Sequence, residues 1–226
     1  MIRCIDVSRT YEADVPVQAL RPTTLSIEDR EFFSIEGPSG SGKSTLMNLL
    51  GLLDVPTGGK YYIEGVDTSE LTERDRTALR AQHFGFVFQS FHLLQDRTVE
   101  ENVGLGLLYQ GVPKSERKCR ALEMLDRVGM SHRRDSFPRT LSGGEKQRVA
   151  IARALVAAAD VLLCDEPTGN LDQSNSVSIL DLLDELNDTR LTIGIVTHDP
   201  AVARRARRHL YVRDGVVTET CTDDRD

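Results

Sequence analysis

Residues 32–53 read FFSIE-GPSGSGKST-LMNLLGLL, and the middle nine, Gly37-Pro38-Ser39-Gly40-Ser41-Gly42-Lys43-Ser44-Thr45, decide how the rest is understood. The two flanks have different periods. FFSIE is a short apolar run of the kind a buried strand presents, whereas Leu46, Leu49, Leu50 and Leu53 recur at the spacing of one helical face. That spacing predicts a helix running on until Pro56 and the Gly58-Gly59 pair stop it. Between strand and helix lies the pattern G-x-x-x-x-G-K-[ST], in the setting its chemistry requires. The glycines let successive backbone N–H groups curl toward one anion, and the helix that follows adds the positive end of its dipole. Lys43 is then placed to neutralise the β- and γ-phosphates of a nucleotide, and the Ser44 hydroxyl to ligate Mg²⁺.

A nucleotide site of this kind needs an acid on a neighbouring strand. VLLCDE supplies one, an apolar run that ends in Asp165 and Glu166. At the carboxyl end of a central strand such side chains reach the crevice where ligands bind. Successive strand residues face opposite sides, so the two acids can do different work. Asp165 would hold the Mg²⁺ shell, and Glu166 would orient and polarise the attacking water.

Around these two motifs the chain alternates between sheet and helix. MIRCIDVSRTY and TLSIEDREFFSIEG read as strands, with the Glu28-Asp29-Arg30-Glu31 cluster as a turn, so an antiparallel β region is expected at the N-terminus. FGFVFQ is another strand, and the signals from about Val99 to Ala158 are mostly helical. DVLLCDE and LTIGIVTH lack strict alternation, as parallel strands covered on both faces do, and the helical SVSILDLLDELND separates them. HLYVRDGVVTE places two β-prone runs around Asp214-Gly215, a hairpin signal. The expected architecture is α/β. It has a P-loop NTPase core with a mainly parallel sheet, an N-terminal antiparallel β subdomain and an inserted α-helical subdomain over about residues 90–158, within a single domain spanning 1–226.

Composition narrows the function classes. The 226 residues suffice for a sizeable core without metal or disulfide staples. A formal net charge of −7 lacks the broad basic surface of a protein that grips nucleic acid, so no nucleic-acid partner is expected. The cluster Arg204-Arg205-Ala206-Arg207-Arg208 reads as a solvated helix face. Cys4, Cys119, Cys164 and Cys221 stand singly, with no C-x-x-C pair, which fits a reducing compartment. The sequence has no stretch expected to act as a signal peptide or membrane span, so a role at a membrane would come through a partner.

LSGGEKQ, residues 141–147, poses a further question. Ser142 with Glu145 three residues on fits a capping box, and Val149, Ala152, Leu155 and Val156 continue as an apolar helical face. The cap leaves Gly143 and Gly144 unexplained. Glycines there leave the helix N-terminus bare of side chains, as close approach of a phosphate requires.

With these motifs in this order, the chain resembles the ATP-binding subunits of ABC transporters. GPSGSGKST looks like their Walker A motif, LSGGEKQRVAIARAL their signature, VLLCDEP their Walker B and TGNLD their D-loop. LMNLLGLLDVPTGGKYYIEG, FGFVFQSFHLL and DEPTGNLD look most like the lipoprotein-release and macrolide-export branch. The resemblance implies ATP hydrolysis with Mg²⁺ in a head-to-tail dimer. Ser142, Gly143 and Gly144 of one copy would close over the nucleotide held by residues 37–45 of the other. It also implies a separate transmembrane permease that holds the chain at the cytoplasmic face of the membrane, with the segment SFHLLQDRTVEENV receiving it. Other residues carry over by matching motif. Gln89, from its surroundings alone a surface glutamine, corresponds to the Q-loop residue that meets Mg²⁺. His198 corresponds to the switch histidine at the γ-phosphate, and Tyr11 to the aromatic that stacks on adenine, although a structural histidine and a sheet-surface tyrosine fit as well. Asp172 matches the D-loop aspartate and fits equally a cap of the helix that follows. A regulatory alternative shares every one of these motifs: an ABC ATPase whose membrane partner transports nothing and relays force, as in cell division.

Overall fold

The computed structural model describes residues 1–12 and 14–221; the side chains of Tyr109 and Cys221 fall outside that description. The elements run β1 (Ile2–Tyr11), β2 (Val17–Ile27), β3 (Phe32–Glu36), α1 (Lys43–Leu50), β4 (Gly58–Ile63), β5 (Val66–Asp67), α2 (Glu73–His83), β6 (Phe84–Phe88), α3 (Val99–Gly104), α4 (Lys114–Arg127), α5 (Gly143–Leu155), β7 (Val161–Asp165), α6 (Gln173–Asp188), β8 (Thr192–Val196), α7 (Pro200–Ala203), β9 (Arg208–Arg213) and β10 (Val216–Cys221). They fall into two compact units, Met1–Arg80 with Arg190–Asp226, and Ala81–Thr189.

The first unit holds two sheet regions. β2, β1, β4 and β5 lie side by side in antiparallel order. β3 runs parallel to β8 on one side and to β9 on the other, and β9 returns antiparallel as β10. The Glu28–Glu31 cluster does turn the chain, and it carries it from the antiparallel sheet into the parallel one. The β9–β10 turn is two residues long, with φ of 50° at Asp214 and 75° at Gly215, the backbone that a tight hairpin matched to strand twist demands.

The helix after the glycine loop is shorter than its leucine spacing predicts. α1 stops at Leu50, Gly51 is its C-cap, and Leu52 takes a left-handed φ of 56°. The reversal turns Leu52 into the core and leaves Leu53 43% exposed, so the fourth leucine of the expected stripe does not share its face. α2 has no counterpart in the sequence reading. Of its residues only His83 is buried, so there is no apolar stripe to find.

In the second unit β6 and β7 pair in parallel register, Phe84 opposite Val161 through Phe88 opposite Asp165. Helices account for most of the remainder, as expected from Val99 onward. α3 begins at a capping box of Thr98 and Glu101. Behind it Asn102 is fully buried, with its amide donating to the carbonyls of Leu94, Arg97 and Thr98 and its Oδ1 accepting from the Leu94 N–H. α5 is the central helix, with Val149, Ala150, Ile151 and Ala152 in succession all without exposure. A helix buried on more than one face is held by its surroundings rather than by amphipathicity. No helix among the described residues is long and apolar enough to cross a membrane.

Candidate functional site

The phosphate loop lies in the first unit, rooted between β3 and α1. Gly37, Gly40 and Gly42 all have positive φ, at 141°, 75° and 111°. A Cβ on Gly37 would come within 2.0 Å of the Val212 carbonyl oxygen, and one on Gly42 within 2.4 Å of that of Ala19. Backbone sits where those side chains would be, so the loop is pressed onto β2 and β9. Pro38, Ser39 and Gly40 stand exposed at its crest, while Ser41 is buried. No side chain caps the N-terminus of α1. Its first amides therefore have no side-chain partner, which is the arrangement that receives an anion. Lys43 reaches back along the loop, Nζ donating to the carbonyls of Gly37 at 2.9 Å and Pro38 at 2.8 Å. The exposed Ser44 and half-buried Thr45 occupy the first turn.

Two other expected residues belong to this unit. His198 is exposed and follows β8, whose Val196 lies opposite Ile35. Parallel pairing thus brings His198 to the same sheet end as Gly37. Thr197 is anchored there by its N–H to the Ile35 carbonyl at 3.1 Å, and Asp199 caps the short helix beyond. Tyr11 ends β1. Its hydroxyl donates to Asp54 at 2.8 Å, and the Arg9 guanidinium lies 4.6 Å from its ring centroid while pairing with the same carboxylate.

The second unit holds the acids and the signature. Asp165 closes β7, but Glu166 lies beyond the strand with a φ of 46°, so a backbone reversal and not the strand pleat separates the two carboxylates. A turn follows, closed by the Gly169 N–H on the Glu166 carbonyl at 3.0 Å, with Pro167 at its second position. Gln89, next after β6, arrives at the same edge because Phe88 lies opposite Asp165. It packs on that turn: its carbonyl accepts from Asn170 Nδ2 at 2.8 Å, and a Cβ on Gly169 would meet its Nε2 at 2.8 Å.

At the start of α5 the capping box is complete, Ser142 Oγ accepting from the Glu145 N–H at 3.2 Å and Glu145 Oε2 from the Ser142 N–H at 2.8 Å. That backbone bond, helped by Arg133, holds the Glu145 carboxyl below its ordinary range. The two glycines differ. A Cβ on Gly144 would lie 2.3 Å from Asn175 Oδ1, so this buried glycine is required by packing on α6. Gly143 is half-buried, and a Cβ on it would lie 3.0 Å from Leu171 Cδ2, while Ser142 is exposed. Asp172 is the N-cap of α6, accepting from the Asn175 N–H at 2.9 Å, and this and its side-chain partners Ser174 and Asn175 hold its carboxyl low. Asn175 thereby links the D-loop segment to the signature glycine.

A glycine-walled loop before an uncapped helix, two acids at a strand end and a capped double-glycine helix agree with what comparison finds. Residues 20–169 match the model of the ABC transporter family. The chain belongs to the ABC transporter family. Its fold is that of an ABC ATPase cassette: two structures of the ATP-binding cassette MJ0796, a dimer bound to ADP and Pi after hydrolysis and a second dimer, align with TM-scores of 0.88. They are 41% and 42% identical and cover 98% of both chains. Among curated relatives, the macrolide export ATP-binding/permease protein MacB of Rhodopseudomonas palustris is 51% identical over 90% of this chain and 31% of its own length. The pyoverdine export ATP-binding/permease protein PvdT of Pseudomonas aeruginosa is 43% identical over 100% and 34%. The ABC chain described here thus spans about a third of the length of the curated relatives it matches.

Three contacts of the ABC cassette escaped the sequence reading. Gln147 and Arg153 reach from α5 into turns of the second unit, and Gly215 supports the phosphate loop of the first. Only Gln147 leaves a trace in the pattern, as a polar residue on the same helical face as Ala150 and Ile151.

Proposed function

We propose that the chain binds and hydrolyses ATP to ADP and phosphate as the motor subunit of a membrane exporter, working as a head-to-tail dimer on a separate permease at the cytoplasmic face of the membrane. The observation that carries this reading is the uncapped N-terminus of α1 behind Gly37 and Gly42, neither of which has room for a side chain. Its amides and Lys43 hold the β- and γ-phosphates, Lys43 exchanging its two loop carbonyls for phosphate oxygens. Tyr11 lies against the adenine. Glu166 takes a proton from the attacking water, and His198 donates to the γ-phosphate. Ser142 and Gly143 of the second copy complete the phosphate shell, with Gly144 and Asp172 behind them.

Ser44, Gln89 and Asp165 offer a hydroxyl, an amide and a carboxylate, an oxygen set that suits Mg²⁺. These three residues would hold the ion, which would supply positive charge to offset that of the phosphates. The exporter assignment is supported by the similarity to MacB and PvdT proteins, whose names join an ATP-binding part to a permease.

The test is Glu166→Gln. The variant should bind ATP, lose turnover by about a thousandfold or more, and accumulate as a dimer with ATP and Mg²⁺ in size-exclusion chromatography. Near-normal turnover would remove Glu166 from its role as base.

A further inference from the structure

Gln147 lies in α5, five residues after its Ser142 N-cap, and has no exposed surface. Its Nε2 donates to the carbonyl of Pro167 at 2.7 Å. A carbonyl can only accept, so the orientation of the amide is fixed by its partner. The other end of the amide, Oε1, is buried and has no hydrogen-bond partner. A lone buried acceptor costs about 1–3 kcal/mol, and an apolar side chain of the same shape would avoid that cost. Packing therefore gives no reason for a glutamine on a face shared with the fully buried Ala150 and Ile151.

The reason lies in what it holds. Pro167 occupies the second position of the turn that begins at Glu166 and closes on Gly169. Glu166 itself has a φ of 46°, a conformation that a non-glycine residue adopts at a cost of about 1–2 kcal/mol and keeps only where its surroundings impose it. Proline has no N–H to anchor the middle of the turn. The Gln147 amide anchors it from the carbonyl side, one peptide away from Glu166. Gln89 packs against the far end of the same turn at Gly169.

We infer that Gln147 is a positioning residue for hydrolysis: by holding the Pro167 carbonyl it fixes the reversed backbone of Glu166, and so the carboxylate that activates water, to the helix that begins at the signature. The inference rests on the reading of Glu166 as the base. It concerns the second unit alone, and Gln147 has no exposed surface to offer a nucleotide, so it separates the rate of the chemical step from ATP binding.

The experiment compares two side chains of nearly the same shape with different donor capacity in the full chain. Gln147→Leu removes the donor. It should lower kcat by about ten- to a hundredfold, the usual result of misplacing a catalytic group, leave the KM for ATP within about twofold, and trap a dimer with ATP as Glu166→Gln does. Gln147→Glu puts a carboxyl at the same place, where burial favours the protonated form, which can donate to the Pro167 carbonyl. Its turnover relative to the unsubstituted chain should exceed that of Gln147→Leu in mildly acidic buffer and fall toward it as pH rises. This rescue is specific to a donor, so it reads out even if the leucine variant folds poorly. Unchanged kcat in Gln147→Leu, or equal and pH-independent turnover in the two variants, overturns the inference provided that Glu166→Gln is inactive. An active Glu166→Gln overturns the reading of Glu166 instead.

Discussion

The N–H of Gly215 donates to the carbonyl of Ser41 at 2.9 Å, so the β9–β10 turn is bonded directly to the phosphate loop. Gly215 is held in turn by β2, its carbonyl accepting from the Arg21 N–H at 2.8 Å, and a Cβ on it would lie 3.2 Å from the Ala19 oxygen. With a φ of 75°, any other residue there is strained by about 1–2 kcal/mol. Gly215→Val should therefore weaken nucleotide binding by roughly fivefold or more while leaving β3 and α1 intact. Fluorescent ATP-analogue titration beside circular dichroism checks it; unchanged affinity would mean the loop keeps its shape without the turn.

Lys43 now spends its charge on two loop carbonyls. Both bonds lie at or near the surface, so Lys43→Ala should change stability by less than about 0.5 kcal/mol. Loss of charged hydrogen bonds to phosphate, at about 1.5–3 kcal/mol, should weaken ATP binding by roughly tenfold to a hundredfold. Isothermal titration with ATP, set beside urea unfolding of the same sample, separates the two effects.

Ser142→Arg removes the cap oxygen of α5 and puts a bulky charge at its exposed end. Loss of the cap should cost about 1 kcal/mol. ATP binding to a single copy should persist, and hydrolysis that depends on protein concentration should vanish. Loss of monomer ATP binding would instead give the signature a purely structural role within its own unit.

The Glu145 carboxyl is held below its ordinary range chiefly by the Ser142 N–H, so its contribution to stability is present above the titration of the unfolded chain and is lost as pH falls through the lower folded value. Glu145→Gln keeps the amide-acceptor geometry without the charge. At neutral pH it should be less stable than the unsubstituted chain by about 0.5–1 kcal/mol, and the two should converge in acid. Denaturant midpoints measured at stepped pH decide this; a constant offset across the acid limb would show that the charge contributes nothing.

Much of the fold was legible because its signals are local. The glycine loop, the capping box at Ser142 and the Asp214-Gly215 hairpin each depend on a few consecutive residues whose backbone preferences agree with the tertiary structure. The misses share a different cause. The extent of α1 was overestimated because Leu53 fits the helical period, and only the close packing of Leu52 tips the chain out of it. α2 was invisible since it buries almost nothing. Gly144 has a packing reason that the local pattern hides, since Asn175, thirty-one positions along the chain, occupies the space where its side chain would be. Asp165 and Glu166 were expected to diverge through the pleat, and a φ of 46° does that work instead. Contacts between distant residues, and backbone reversals at non-glycine positions, have no short-range signature.

Among the stations at which α5 meets the rest of its unit are two arms on carbonyls: Gln147 on that of Pro167, and Arg153 on those of Phe91 and His92, two consecutive residues with left-handed φ of 57° and 48°. Inserting or deleting one residue between stations would rotate everything downstream by about 100° and slide it about 1.5 Å. Both arms would then miss their carbonyls together, however well the altered helix still packed. Substitutions can accumulate on the outside of this segment, but its length cannot drift: the helix works as a ruler, and descendants of this chain should vary its letters while keeping their number.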